Sequence, residues 1–174
     1  MSMILTVLVA ATTAAAGDDE LAALLKKAAY PLTEAIQKAA PIAKEGVLVS
    51  AELEDEDGRA VYVVEFAVDK KVVEIKLDAA TGELLKKDIE EDDKSAVVKA
   101  CKLPLLKGIE IAAAKVPGKL VAAEAEIEDD KPILETKIFA GGKLLKVKVD
   151  AVTGEILKIK GRKAEGEAKE GEKK

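Results

Sequence analysis

Histidine and tryptophan are absent from this 174-residue chain, cysteine occurs once, and aromatic residues make up only 2% of it. Without histidine there is no Ser-His or Cys-His nucleophile pair and no His-ligated zinc site. A single cysteine excludes an internal disulfide and a thiolate metal cluster. Scarce aromatics leave little with which to stack nucleobases. The net charge of −5, from 28 Lys+Arg against 33 Asp+Glu, opposes a phosphate backbone. Nucleic acid is therefore disfavoured, and none is expected as a partner. What remains is 49% hydrophobic, enough for an aliphatic core of Ala, Val, Leu and Ile. The length suits one domain or two small ones.

Residues 1–16 carry no charged side chain. Met3 through Ala11 form an apolar run, and Ala14-Ala15-Ala16 before Gly17 fits a small-x-small cleavage site. The run is shorter than the roughly 20 residues needed to cross a bilayer. It reads as a cleaved signal peptide, with a buried N-terminal element or an uncleaved anchor as alternatives. No later stretch is long and apolar enough to span a membrane, so the exported chain is expected in the periplasm or secreted. Cys101, within Ala96-Val97-Val98-Lys99-Ala100-Cys101, reads as a small buried hydrophobe, the alternative being a reactive or bridging thiol.

The chain contains itself twice. Leu77-Asp78-Ala79-Ala80-Thr81-Gly82-Glu83-Leu84-Leu85-Lys86 returns 72 residues later as Val149-Asp150-Ala151-Val152-Thr153-Gly154-Glu155-Ile156-Leu157-Lys158. The same offset pairs Tyr62 with Leu134, Phe66 with Ile138 and Ala51 with Ala123. Upstream the offset is 73, pairing Pro31-Leu32 with Pro104-Leu105 and Ile36 with Ile109. One slip near residues 41–46 accounts for the change, and a helix–strand loop tolerates it.

In each copy an acidic-headed short helix, residues 18–29 in the first, precedes a proline. A second helix follows, capped by Thr33 and ending near Gly46, with Pro41 expected to kink or shorten it. Strands then alternate with period two: Val49, Ala51 and Leu53; then Tyr62, Val64 and Phe66; then Val73, Ile75 and Leu77. Asp57-Gly58, Asp69-Lys70 and Gly141-Gly142 are hairpin turns. The reading is α+β: two tandem repeats, each an α-helix packed on an antiparallel β-sheet meander. The expected divisions are a signal peptide at 1–16, repeats at 17–88 and 89–160, and a disordered charged tail at 161–174. A unit of about 70 residues is marginal alone, so the copies are expected to touch, with exposed sheet faces as one route. Residues 88–94 read as a polar hinge.

No catalytic or cofactor-binding residue stands out. The acidic hairpins hold the only weak metal candidates: Glu54, Asp55 and Asp57 in the first copy, Glu128, Asp129 and Asp130 in the second. Hard cations want several oxygens together, but EF-hand spacing fails and alternation splits the strand carboxylates between faces. Solvated hairpin charge is the plainer reading. The Asp78 and Asp150 motifs read as turn chemistry, Asp bonding backbone N–H groups and Gly supplying positive φ. Gly141-Gly142-Lys143 lacks a phosphate-loop pattern.

Each copy resembles a PepSY domain. The resemblance rests on Ala35-Ile36-Gln37-Lys38-Ala39, Ala51-Glu52-Leu53-Glu54, Val61-Tyr62-Val63-Val64-Glu65 and the Asp-Ala-x-Thr-Gly-Glu ending, with their counterparts in the second copy. The second copy departs from the pattern at Leu134, where a tyrosine is usual. The resemblance implies a cystatin-like helix on an antiparallel sheet and no catalytic residues. It implies a non-enzymatic protein-binding module, possible partners being secreted or envelope peptidases that it would modulate or inhibit. The alternative is an envelope protein binding Ca²⁺ or a small ligand through its acidic turns. No cofactor is expected.

Overall fold

Alternation and turn chemistry determine the strands. The computed structural model describes residues 17–161. The expected signal peptide lies outside these residues, as does the expected tail beyond Gly161. The elements are α1 (Asp18–Lys27), α2 (Leu32–Ala43), β1 (Val47–Glu56), β2 (Arg59–Val68), β3 (Lys71–Asp78), β4 (Leu84–Glu90), α3 (Ser95–Ala100), α4 (Leu105–Lys115), β5 (Lys119–Glu128), β6 (Lys131–Ala140), β7 (Lys143–Asp150) and β8 (Ile156–Gly161). The protein is α+β, its helices set against one large antiparallel sheet.

Positive φ at Asp57 and Gly58 (53° and 84°), and at Gly141 and Gly142 (58° and 79°), gives the two-residue hairpins their primed form. The sheet has eight strands in the order β4-β3-β2-β1-β5-β6-β7-β8. The copies therefore join edge to edge, Ala51 opposite Ala123 in the β1–β5 ladder, and not through exposed sheet faces. The physical reason is twofold. Pairing β1 with β5 satisfies backbone groups that an edge would leave open. Stacking the open faces would instead desolvate Glu52, Glu54, Glu124 and Glu126 together.

The other face holds the core. Ala51, Leu53, Tyr62, Val64, Ile75 and Leu77 are buried under Ala35, Ile36 and Ala39 of α2. In the second copy Val121, Ala123, Leu134, Ile138, Val147 and Val149 lie under Ile109 and Ala112 of α4. Each fully buried Val, Leu or Ile side chain contributes about 2 kcal/mol. Helix α1 ties the copies together. Leu21, Leu24 and Leu25 enter the shared core. Its first residue, Asp18, accepts a hydrogen bond from Leu144 N of β7 at 3.3 Å, while Lys27 at its end donates to Gly58 O at 2.7 Å.

Several local expectations are corrected. Thr33 lies inside α2 and caps nothing, because Pro31 takes the N-cap position and turns Leu32 into the core. Pro41 does not stop α2, which ends two residues later; so near the end only one helical hydrogen bond is lost. Lys44, not Gly46, takes the positive φ after the helix (64°). Gly46 is needed for space, since a Cβ there would sit 2.6 Å from Phe66 Cβ. The first part of the expected hinge, Asp88 to Glu90, is strand β4 paired with β3. The last turn of α1 stops at Lys27, short of residue 29.

Candidate functional site

The acidic hairpins are the first place to look. Asp55 Oδ1 accepts the Gly58 N–H at 2.6 Å and lies near Lys27, whose Nζ is 3.9 Å from Oδ2. Glu54 is on the opposite face of β1, paired across with Val61. Asp57 is an exposed turn residue. In the second copy Asp129 and Asp130 form the turn itself, with φ of 49° and 61°. Glu128 pairs with Lys148, which holds its carboxyl below the usual range, hydrogen bonding from that ammonium being the main cause. So neither trio converges. Among the described residues no three acidic or cysteine side chains are gathered to hold a metal.

The open sheet face is richer. Lys76 reaches Glu56 at 2.5 Å and Glu74 at 3.9 Å. Its repeat equivalent, Lys148, reaches Glu126 at 3.6 Å, Glu135 at 3.5 Å and Glu128. Burial, then the neighbouring Glu52 carboxylate, pushes Glu54 up to about 7. Burial likewise pushes Glu65 up to about 7, with Lys94 pulling it back. Burial also raises Glu74 and Glu126. Glu54 and Glu65 can therefore take up protons near neutrality. Among the described residues no nucleophile is seen paired with them. Sequence reading missed Glu65; the signal was a lone carboxylate inside the apolar run Val61-Tyr62-Val63-Val64-Glu65-Phe66.

The duplicated Asp motifs are turns in both copies. Asp78 Oδ1 accepts the N–H of Ala80 and Thr81 at 2.8 and 2.7 Å; Asp150 Oδ1 accepts those of Val152 and Thr153, both at 2.8 Å. Glu83 N and Glu155 N each donate to the threonine hydroxyl two residues back at 3.2 Å. Those backbone N–H groups, led by Thr81 and Thr153, lower both Asp pKa values. Only the first copy adds an arginine: Arg59 Nη2 lies 2.5 Å from Asp78 Oδ2.

Between the copies lie two grooves related by the repeat. In one, Leu25, Ala28, Tyr30 and Pro31 face Lys119 and Leu120 across about 420 Å³. In the other, the equivalent Val98, Cys101, Leu103 and Pro104 face Val47 and Leu48 across about 210 Å³. Each groove is thus built from the helical segment of one copy and the first strand of the other. Their chemistry differs. In the larger groove the Tyr62 hydroxyl donates to Tyr30 O at 2.5 Å and the Tyr30 hydroxyl donates to Asp78 O at 2.9 Å. The two rings are 5.2 Å apart, and Lys38 Nζ lies 5.6 Å from the Tyr30 ring. Burial pushes both tyrosines up to about 12. The smaller groove has Leu103 at the position of Tyr30, and Leu134 is the repeat equivalent of Tyr62. Burial also raises the Cys101 thiol, so it stays protonated and packs as an apolar group.

A protein-family model described as the peptidase propeptide and YPEB domain, PepSY, matches residues 29–88 and again residues 109–160. No curated protein matches. Among solved structures, a candidate lipoprotein from Clostridium difficile 630 is similar at 23% identity and a TM-score of 0.45, over 75% of this chain and 92% of that one. The C-terminal domain of Bacillus megaterium YpeB is similar at 16% identity and a TM-score of 0.32, over 77% of this chain and 66% of that one.

Proposed function

Because both of its copies match and together cover more than half of its length, this chain belongs to the PepSY family, and we propose that it is a non-enzymatic exported binding module that modulates or inhibits a secreted or envelope peptidase. The double match to a peptidase-propeptide family carries the reading. Two features support it. The carboxylates of the duplicated motifs are committed to turns. The grooves between the copies offer concave, largely apolar surface of the size that takes side chains of a partner. In this reading each repeat, residues 17–88 and 89–160, acts as one helix-on-meander unit, and residues 1–16 direct export.

The test is capture with the full chain immobilised, against secreted and envelope proteins of its own source, followed by mass spectrometry. Hydrolysis of an unfolded protein substrate by any captured peptidase is then followed with the chain in excess. Enrichment of a peptidase whose hydrolysis slows supports the proposal. Capture of no peptidase, or a captured peptidase whose rate is unchanged, refutes it.

A further inference from the structure

The exposed aliphatic surface collects at the two ends of the sheet. Of the nine large hydrophobic side chains exposed among the described residues, six lie there: Leu84, Leu85 and Ile89 in β4, and Val152, Leu157 and Ile159 in or beside β8. These are also the two edge strands. An edge strand leaves a row of backbone N–H and C=O groups unpaired and is a template for another strand.

Proteins protect such edges with lysines and bulges. Both devices are here. The ladder slips beside Leu85 and beside Leu157, and Lys86, Lys158 and Lys160 line the open side. The lysines of β8 repel β8 of another copy. They do not repel β4, whose open side also carries Asp88 and Glu90. The protection therefore works between two β8 edges and fails between β8 and β4.

The geometry of the unlike pair is favourable. Seven antiparallel pairings separate β4 from β8, so the two edges run in opposite directions. Two copies in the same orientation, set side by side, bring β8 of one antiparallel to β4 of the next with the helices on one side. Placing Ile89 opposite Ile159 sets Asp88 opposite Lys160 and Glu90 opposite Lys158. Ile89 and Ile159 share the helix side, because they pair with Val73 and Val147; the four charged residues share the other. Lys87 and Ile159 are equivalent positions of the repeat. Ile89, two residues on from Lys87, thus turns its backbone groups to the same side of its strand as Ile159 does, and the ladders are in step.

We propose that β4 and β8 are complementary docking edges through which copies of this chain join side by side into one continuous sheet. The contact is heterologous, so assembly is open-ended and grows with concentration.

Sedimentation velocity of the full chain tests this over a concentration series, with circular dichroism to check folding. The wild-type protein should form larger species as concentration rises, fewer of them at high salt. Asp88→Lys and Lys160→Asp should each weaken association roughly tenfold, since each opposes like charges across the joint. An equimolar mixture of the two variants should restore it, because each supplies the edge that fits the other. Both positions are on the surface, and Ile89→Lys, at a side chain 62% exposed, gives a second break in the same joint. A wild-type chain that stays monomeric throughout overturns the proposal. So does association unchanged by these substitutions, or a mixture that fails to recover it.

Discussion

Thr136 gives the sharpest test of the packing. Its side chain is fully buried in β6, and its hydroxyl finds no hydrogen-bond partner among the described residues. A buried hydroxyl without a partner costs about 1–3 kcal/mol. The repeat supplies the control. The equivalent residue is Val64, also fully buried, and it sits between Ala51 and Ile75. Thr136 sits between Ala123 and Val147, a site no tighter, since valine replaces isoleucine. Thr136→Val exchanges a hydroxyl for a methyl of nearly the same size and leaves no cavity. It should stabilise the fold by about 1–2 kcal/mol, or roughly 3–6 °C in Tm for a chain of this size. Urea unfolding followed by far-ultraviolet circular dichroism reads this as a higher midpoint at unchanged slope. The converse, Val64→Thr, should destabilise the fold by about 1–3 kcal/mol, read as a lower midpoint. A Thr136→Val midpoint equal to or below wild type would refute the reasoning, because it would mean that the hydroxyl is satisfied where it stands.

Gly108→Ala should destabilise by about 1–3 kcal/mol, although alanine is the better helix former: its Cβ would meet Leu134 Cβ at 2.7 Å, and thermal unfolding reads the loss. The raised pKa values of Glu54 and Glu65, both about 7, make the folded state hold protons that the unfolded chain releases. Their stabilisation is complete below about pH 4.5 and disappears as pH rises through 7, so stability should fall across that window. Glu65→Gln should flatten the fall in a pH series of urea midpoints; an unaltered profile would count against the assignment. Asp78→Ala should lower the unfolding midpoint more than Asp150→Ala, because only Asp78 also anchors an arginine; equal losses would contradict this.

What could be read from the sequence was what is determined locally. The Asp57-Gly58 and Gly141-Gly142 hairpins follow from two-residue turn chemistry, and the Asp78 and Asp150 turns from a side chain bonding backbone a few residues on. The alternation of Ala51, Leu53, Tyr62, Val64 and Phe66 gave the buried face directly. Strand β4 escaped because Leu84-Leu85-Lys86-Lys87-Asp88-Ile89 has no period of two. The irregularity beside Leu85 breaks it, and an edge strand with one neighbour is under weak patterning pressure. The joining of the copies escaped for a different reason. Pairing Ala51 with Ala123 is a contact across 72 residues that neither segment's own pattern specifies. Glu65 became visible only once its neighbours were known.

The two grooves carry this furthest, because no single segment encodes them. Each needs the helical segment of one copy and the first strand of the other, so each exists only through the β1–β5 joint. The copies share core and turn residues yet differ here as a set: Tyr30, Tyr62, Lys38 and Ala35 in the first against Leu103, Leu134, Ile111 and Gly108 in the second. The changes depend on one another. Leu134 is tolerated under α4 because Gly108 lets the helix approach. Ile111 and Leu103 both lie 3.3 Å from the Cβ position of Gly154, where the first copy sets Lys38 against Gly82. A hydroxyl-bearing groove and an aliphatic groove, held at fixed separation by one sheet, cannot be exchanged for each other. A partner that engages both must therefore meet the chain in one orientation, which a simple doubling of a single site would not impose.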